Sequence, residues 1–277
     1  MLKLIIIQVL DIVTRQTGLC VLLSLLLTAN APMKAGEKVR VDDLCYELND
    51  KDMTATVIDP LSCPAPDYLD EDEFHDEMLP EHRRRPMVDI PQQLLCNGKI
   101  YRVTGIGSSA FESCRYLWSV SMPNSITHID ELAFGSCEEL QHIVLSDSIV
   151  VIADMTFTHC RFLQSIDIPD SVWKIGAVAF LGCENLCSLT LPAGIMEIGY
   201  GAFALCDKLR TVTCKAPRPP YITEPFLEHS DEDNAFYQTG GRYPDTLYVP
   251  KRSVRAYKKA RQWKLFKYIL PIPIGGR

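Results

Sequence analysis

Residues 106–126 read IGSSAFESCRYLWSVSMPNSI, residues 175–195 read IGAVAFLGCENLCSLTLPAGI, and residues 198–214 read IGYGAFALCDKLRTVTC. These segments are copies of one pattern. Phe111, Phe134, Phe157, Phe180 and Phe203 stand 23 residues apart, and so do Cys114, Cys137, Cys160, Cys183 and Cys206. Leu117, Leu140, Leu163, Leu186 and Leu209 keep the same spacing, as do Ile106, Ile129, Ile152, Ile175 and Ile198. A fixed period of this length marks a repeat architecture, in which no unit can bury its apolar face alone and stacked neighbours share one core.

Within a unit, apolar and polar residues alternate after the conserved leucine: Val120 and Met122 against Ser119 and Ser121, then Ile143 and Leu145, Ile166 and Ile168, Leu189 and Leu191. Such alternation marks a strand with one buried face. Pro123, Pro169 and Pro192 close the strands, since proline cannot donate to a continuing ladder. The Ala-Phe pair is expected on the opposite side of the coil, in a short helical turn. The L-x-x-I-x-L stretch is the strand segment of a leucine-rich repeat. The expected fold is a repeat solenoid of the α/β leucine-rich type, mainly β with short helical turns and coiled right-handed. It has five 23-residue repeats, a β-hairpin N-cap and a strand–helix C-cap.

These units resemble the BspA-like leucine-rich repeats of bacterial surface proteins. Asn97 to Val103 resembles that family's opening strand. Thr246 to Pro250 with Ser253, Val254, Tyr257, Trp263, Phe266 and Ile269 resembles its C-terminal cap. The similarity spans about residues 44–274. It implies a secreted or surface-exposed interaction module, with adhesion to host or neighbouring-cell surfaces, and it brings no catalytic residues.

Five segments follow. Residues 1–35 carry the apolar run Leu19–Leu27 behind Arg15 and before Ala29-Asn30-Ala31, which reads as a signal peptide cut after Ala31 or Ala35. An uncleaved anchor or a buried helix are the alternatives; the run falls short of the roughly 20 residues of a spanning helix. Residues 36–97 form the N-terminal cap, with a hairpin from Leu44–Leu48 and Met53–Ile58, then an acidic, proline-rich loop with Asp70 to Glu73 and Arg83 to Arg85. Residues 98–217 are the solenoid and 218–245 an irregular insertion, where Ala235-Phe236 reads as a displaced copy of the repeat pair. Residues 246–277 are the C-terminal cap, with Ser253 as N-cap of a helix ending near Tyr268.

Chemistry is hard to place on this pattern. The net charge of −7 excludes the basic face of a nucleic-acid module. His128, His142 and His159 occupy three phases of the coil and do not converge. The acidic run lacks the spacing of a calcium loop. The 11 cysteines include five at one repeat position, which suits small buried hydrophobes better than disulfides, and disulfides better than a metal. Cys63 is the favoured disulfide former. No catalytic residue, metal or cofactor is expected.

The exposed strand face is the candidate binding surface. Its columns are Ser119, His142, Ser165, Ser188 and Thr211, then Ser121, Val144, Asp167, Thr190 and Thr213, with Trp118, Gln141, Gln164 and Arg210 at the strand starts. The expected partner is a protein or glycan at a cell surface or in the extracellular matrix, with no nucleic acid and no membrane insertion of the mature chain. The alternative is a structural or assembly subunit that docks a partner from the same cell.

Overall fold

The computed structural model describes residues 37–41, 44–60, 87–224, 234–238 and 241–273. The expected signal peptide, Cys63, the acidic run and Arg83 to Arg85 lie outside these residues.

The chain opens with strands β1 (Glu37–Val41), β2 (Leu44–Asn49) and β3 (Thr54–Pro60). β2 and β3 form the expected antiparallel hairpin, and β1 adds a further antiparallel strand. Asn49 fixes the hairpin turn, its side-chain oxygen accepting the N–H of Lys51 at 3.0 Å. Then come β4 (Met87–Asp89), β5 (Gln93–Cys96) and β6 (Lys99–Ile106). Asn97 and Gly98, at φ 48° and 74°, join β5 to β6 in a two-residue hairpin. β6 lies parallel to β3. Asp50 ties the cap together, accepting from Tyr101 Oη at 2.5 Å and Lys99 Nζ at 3.0 Å. These hydrogen bonds, Tyr101's first, hold its carboxyl below the usual carboxylate range.

From here the units supply short strands, two each except where the rung around Asp167 forms only a single bridge. They are β7 (Ser119–Ser121), β8 (His128–Ile129), β9 (His142–Val144), β10 (Val151–Ile152), β11 (Lys174–Ile175), β12 (Ser188–Leu191), β13 (Glu197–Ile198), β14 (Thr211–Cys214) and β15 (Tyr221–Ile222). β16 (Thr246–Val249), helix α1 (Val254–Lys259) and β17 (Tyr268–Pro271) finish the chain. The main strand face is hydrogen-bonded in two parallel sheets, β4–β7–β9 and β12–β14–β16–β17, and a single bridge from Asp167 to Thr190 brings the intervening rung onto the second. A second flank stacks β10–β11–β13–β15, and β8 extends the cap sheet by pairing with β6.

The repeat positions converge in the interior. Phe111, Phe134, Phe157, Phe180 and Phe203 are all fully buried and stack with centroids 5.0–5.5 Å apart. Phe236 adds a sixth ring, 5.5 Å from Phe203, so the displaced Ala235-Phe236 pair does resume the register. The Ala-Phe corner is built of tight turns joined coil to coil. Phe134 N–H donates to Thr156 O at 2.9 Å, and Phe157 N–H to Ala179 O at 2.8 Å. Two residues per corner sit in the left-handed region. Ser109, Leu132, Met155, Val178 and Gly201 hold the first position, and Ser113, Ser136, His159, Gly182 and Leu205 the second. The corner imposes this backbone even on β-branched Val178.

The C-terminal cap differs from expectation. The helix is short and stops at Ala260, so Tyr268 lies on strand β17. Trp263 and Phe266 fold back on Phe236 at 5.4 and 5.2 Å, closing the aromatic column. Pairing β17 with β16 then covers the last strand of the sheet. Ser253 precedes the helix without capping it; its hydroxyl donates to Pro217 O at 2.7 Å.

Candidate functional site

Strand alternation places the expected surface residues. On β7, Val120 is buried while Ser119 and Ser121 stay accessible; on β12 and β14, Leu189, Leu191, Val212 and Cys214 point in while Ser188, Thr190, Thr211 and Thr213 point out. Parallel registers align the columns: Ser119 opposite His142, Ser121 opposite Val144, Ser188 opposite Thr211, and Thr190 opposite Thr213. The Asp167–Thr190 bridge keeps Asp167 and Ser165 in phase with these columns, and both are exposed. Gln164 and Arg210 are exposed, Gln141 half-buried. Trp118 is half-buried, its ring edge-on to His142 at 4.7 Å. The twelve expected residues thus share one face, and none is buried.

The face reaches further than the sequence suggested. β4 adds Met87 and Asp89 beside Ser119 and Ser121, and Met87 is 66% exposed. At the other end, Tyr248 continues the Thr190–Thr213 column, and β17 adds Tyr268 and Leu270, which are 49% and 41% exposed. Lys267 Nζ stands 5.1 Å from the Tyr268 ring centre. Short hydroxyl side chains therefore fill the middle, and apolar or aromatic groups mark both ends. Tyr248 was legible from alternation with Leu247 and Val249. Met87 sits next to a proline-rich stretch that reads as loop, and Tyr268 has helical spacing with Lys264.

The cysteines of the repeat ladder are turned into the core, away from this face. Cys137, Cys160, Cys183 and Cys206 are free, buried thiols. Each donates to the carbonyl of the phenylalanine 26 residues earlier, at 3.0–3.3 Å. Burial pushes the Cys137 thiol up to about 12 and those of Cys160 and Cys206 well above their usual value. Cys114, at the same repeat position, is disulfide-bonded, so the ladder is not uniform. Cys187 is exposed and free. Among the described residues no group of three His, Cys, Asp or Glu side chains is placed to hold a metal ion. No helix among them is long and apolar enough to cross a membrane.

A second exposed column lies on the flank. Val150, Trp173 and Met196 occupy one repeat position on successive coils and are 47%, 41% and 68% exposed. Trp173 N–H donates to Val150 O, and Met196 N–H to Trp173 O, so the three stand on adjacent rungs.

Comparison with known proteins agrees with this geometry. Six copies of the BspA type leucine rich repeat region match residues 104–218. Among solved structures, a T. pallidum leucine rich repeat protein superposes with a TM-score of 0.53 at 21% identity, covering 86% of this chain and 84% of that one. A leucine-rich repeat protein from Bacteroides ovatus gives 0.52 at 20% identity, over 84% and 67%. At these identities the likeness is one of fold. None of the curated proteins compared with the chain matches it. The stacked coils, the buried phenylalanine and cysteine columns and the matched repeats make residues 104–218 a leucine-rich repeat region of the BspA type.

Proposed function

We propose that the chain is an exported, non-enzymatic binding module at the cell surface, and that its main strand face recognises a protein partner, in adhesion to another surface. The observation that carries this is the composition of the face. Hydroxyl side chains on stacked parallel rungs form its centre, and Trp118 with His142, Val144 and Met87 lies at one end, Tyr268 and Leu270 at the other. Aromatic anchors bordering a flat, hydrogen-bonding surface suit a protein partner, because a few large rings dominate such interfaces. Parallel β-structure also fixes the columns, so little is ordered on binding. The matched repeat family supports a binding role.

The test is saturable binding of the purified protein to immobilised extracellular-matrix proteins, with Ser165→Arg run alongside. Ser165 is exposed at the centre of the face, so a bulky cation there blocks a partner without entering the core. Binding lost in this variant supports the reading; binding retained at wild-type strength refutes it.

The flank favours a second reading, docking to a partner subunit from the same cell. Three exposed apolar side chains on consecutive rungs, Val150, Trp173 and Met196, form a patch that solvent alone does not explain. Under that reading Trp173→Asp, not Ser165→Arg, abolishes co-purification with the partner.

A further inference from the structure

Where the N-terminal cap meets the first coil, the outer faces of β2, β3, β6 and β8 enclose an open cavity of about 770 Å3, a volume within the range of ligand sites. Its floor is backbone. Gly107 N–H donates to Val57 O at 2.7 Å, which pins the loop after β6 against β3. Its walls are polar: Thr54 and Thr56 from β3, Thr104 from β6, Glu47 from β2, and His128 and Asp130 at the start of the second coil. Among the described residues, neither the three threonine hydroxyls nor the two carboxylates are hydrogen-bonded to another group of the chain.

Two local features shape this wall. The pairing of β3 with β6 shifts register between Ala55 and Thr56, and a bulge of this kind re-aims side chains. Gly105 leaves a gap that the His128 ring fills; a Cβ at residue 105 would lie 2.0 Å from His128 Nε2. His128 Nδ1 is 3.3 Å from Thr127 Oγ1, so the ring is held at both edges.

The chemistry of the lining selects its occupant. Two carboxylates against one ammonium, Lys51, disfavour an anion. Leu48 and Ile58 are the apolar side chains of the lining, too few for a lipid. Carboxylates accept hydrogen bonds while hydroxyls both give and accept, so the complementary ligand is uncharged and rich in hydroxyl groups. We propose that the cavity is a binding site for a neutral saccharide, the end of a glycan chain, built from residues distinct from those of the strand face.

The experiment is titration of the full chain, by calorimetry and by saturation-transfer NMR, with chitobiose, lactose, mannobiose and 3′-sialyllactose, and with an oligolysine peptide. The same titrations use Asp130→Asn and Gly105→Ala. The first removes a carboxylate; the second pushes the His128 ring aside while leaving the buried core untouched. Circular dichroism checks that both variants fold, and Ser165→Arg serves as the control that keeps the cavity intact. The expected result is saturable binding of at least one neutral disaccharide, weakened at least tenfold in both cavity variants and unchanged in Ser165→Arg. Binding of sialyllactose or oligolysine alone, no binding of any neutral sugar, or neutral binding that both cavity variants retain would each overturn the proposal. Loss in Ser165→Arg with retention in the cavity variants would overturn it too, and would move glycan recognition to the strand face.

Discussion

Raising the pH should destabilise this protein through its cysteines. Cys137, Cys160, Cys206 and Cys214 are buried thiols, held protonated chiefly by desolvation, with Cys137 pushed up to about 12 and Cys214 to about 11. Cys183 moves in the same direction for the same reason. In the unfolded chain each thiol titrates near its ordinary value of 9.0. The folded value is raised, so the stabilisation is complete below the unfolded pKa and is lost as pH rises from there through the folded pKa. Between about pH 8 and about pH 10 an unfolded thiol with an ordinary pKa releases most of its proton while its folded counterpart keeps it, which lowers stability by about 1 kcal/mol per thiol. Four such thiols remove on the order of 4 kcal/mol, a sizeable share of the 5–15 kcal/mol typical of a folded domain. Urea unfolding under reducing conditions, followed by circular dichroism at several pH values, measures this loss. Cys160→Ala provides the internal comparison. It costs a roughly constant amount for lost packing, but its pH dependence should be shallower than wild type by about 1 kcal/mol over the same interval. Equal pH dependence in the two proteins would refute the reasoning, because Cys160 would then not differ between its folded and unfolded states.

Phe157→Ala, at the centre of a stack with neighbours 5.5 and 5.1 Å away, should cost about 3–5 kcal/mol in urea unfolding; a cost below about 1 kcal/mol would place the ring outside the core. Val178→Gly should stabilise the protein by about 0.5–1 kcal/mol, because a half-buried valine at φ 46° pays a left-handed penalty that Gly201 avoids one coil later. A clear loss of stability there would mean that the packing of Val178 outweighs its backbone strain. A maleimide at neutral pH should label Cys187 in the native protein and reach Cys137, Cys160, Cys183 and Cys206 only after denaturation, as read by peptide mass spectrometry. Trp263→Ala, which removes the indole donor to Pro220 O at 2.9 Å and the ring over Phe236, should destabilise the C-terminal cap by about 3–5 kcal/mol.

How much was legible depended on whether a residue obeyed the repeat. Phenylalanine, cysteine, leucine and isoleucine at a 23-residue spacing announce a stack, and the outward columns follow from strand alternation alone. The ends obey no such rule. Tyr257, Ala260, Lys264 and Tyr268 carry helical spacing, yet the chain leaves the helix at Ala260. The aromatic column needed a lid from Trp263 and Phe266, and the last strand of the sheet needed a partner, so tertiary demands overrode local periodicity. Met87 was hidden for the opposite reason. A three-residue strand next to a proline-rich stretch has no periodicity to detect, and only pairing with β7 reveals it. The hairpin that brings residue 47 opposite residue 56 was legible, but the cavity was not, because residue 128 joins them only through the parallel pairing of β3, β6 and β8.

The repeat also separates what stability fixes from what function is free to choose. Each coil places its phenylalanine, leucine and isoleucine inside, where a change of one methylene is felt along the column. The positions between them carry no such demand, and an idle scaffold would fill them with interchangeable polar residues. Here they are not interchangeable. The flank position runs Thr127, Val150, Trp173, Met196, turning apolar for three consecutive coils. The strand face runs Ser119, His142, Ser165, Ser188, Thr211 and ends at Tyr268, small in the middle and aromatic at the rim. Burial cannot account for either gradient, since these side chains are accessible. Stacking cannot account for them, since every coil stacks alike. A surface that changes character along an otherwise constant scaffold is what recognition requires, and the two gradients lie on different sides of the coil. The Ser165→Arg and Trp173→Asp substitutions therefore test separate surfaces, and a partner lost to one and kept by the other identifies which gradient it reads.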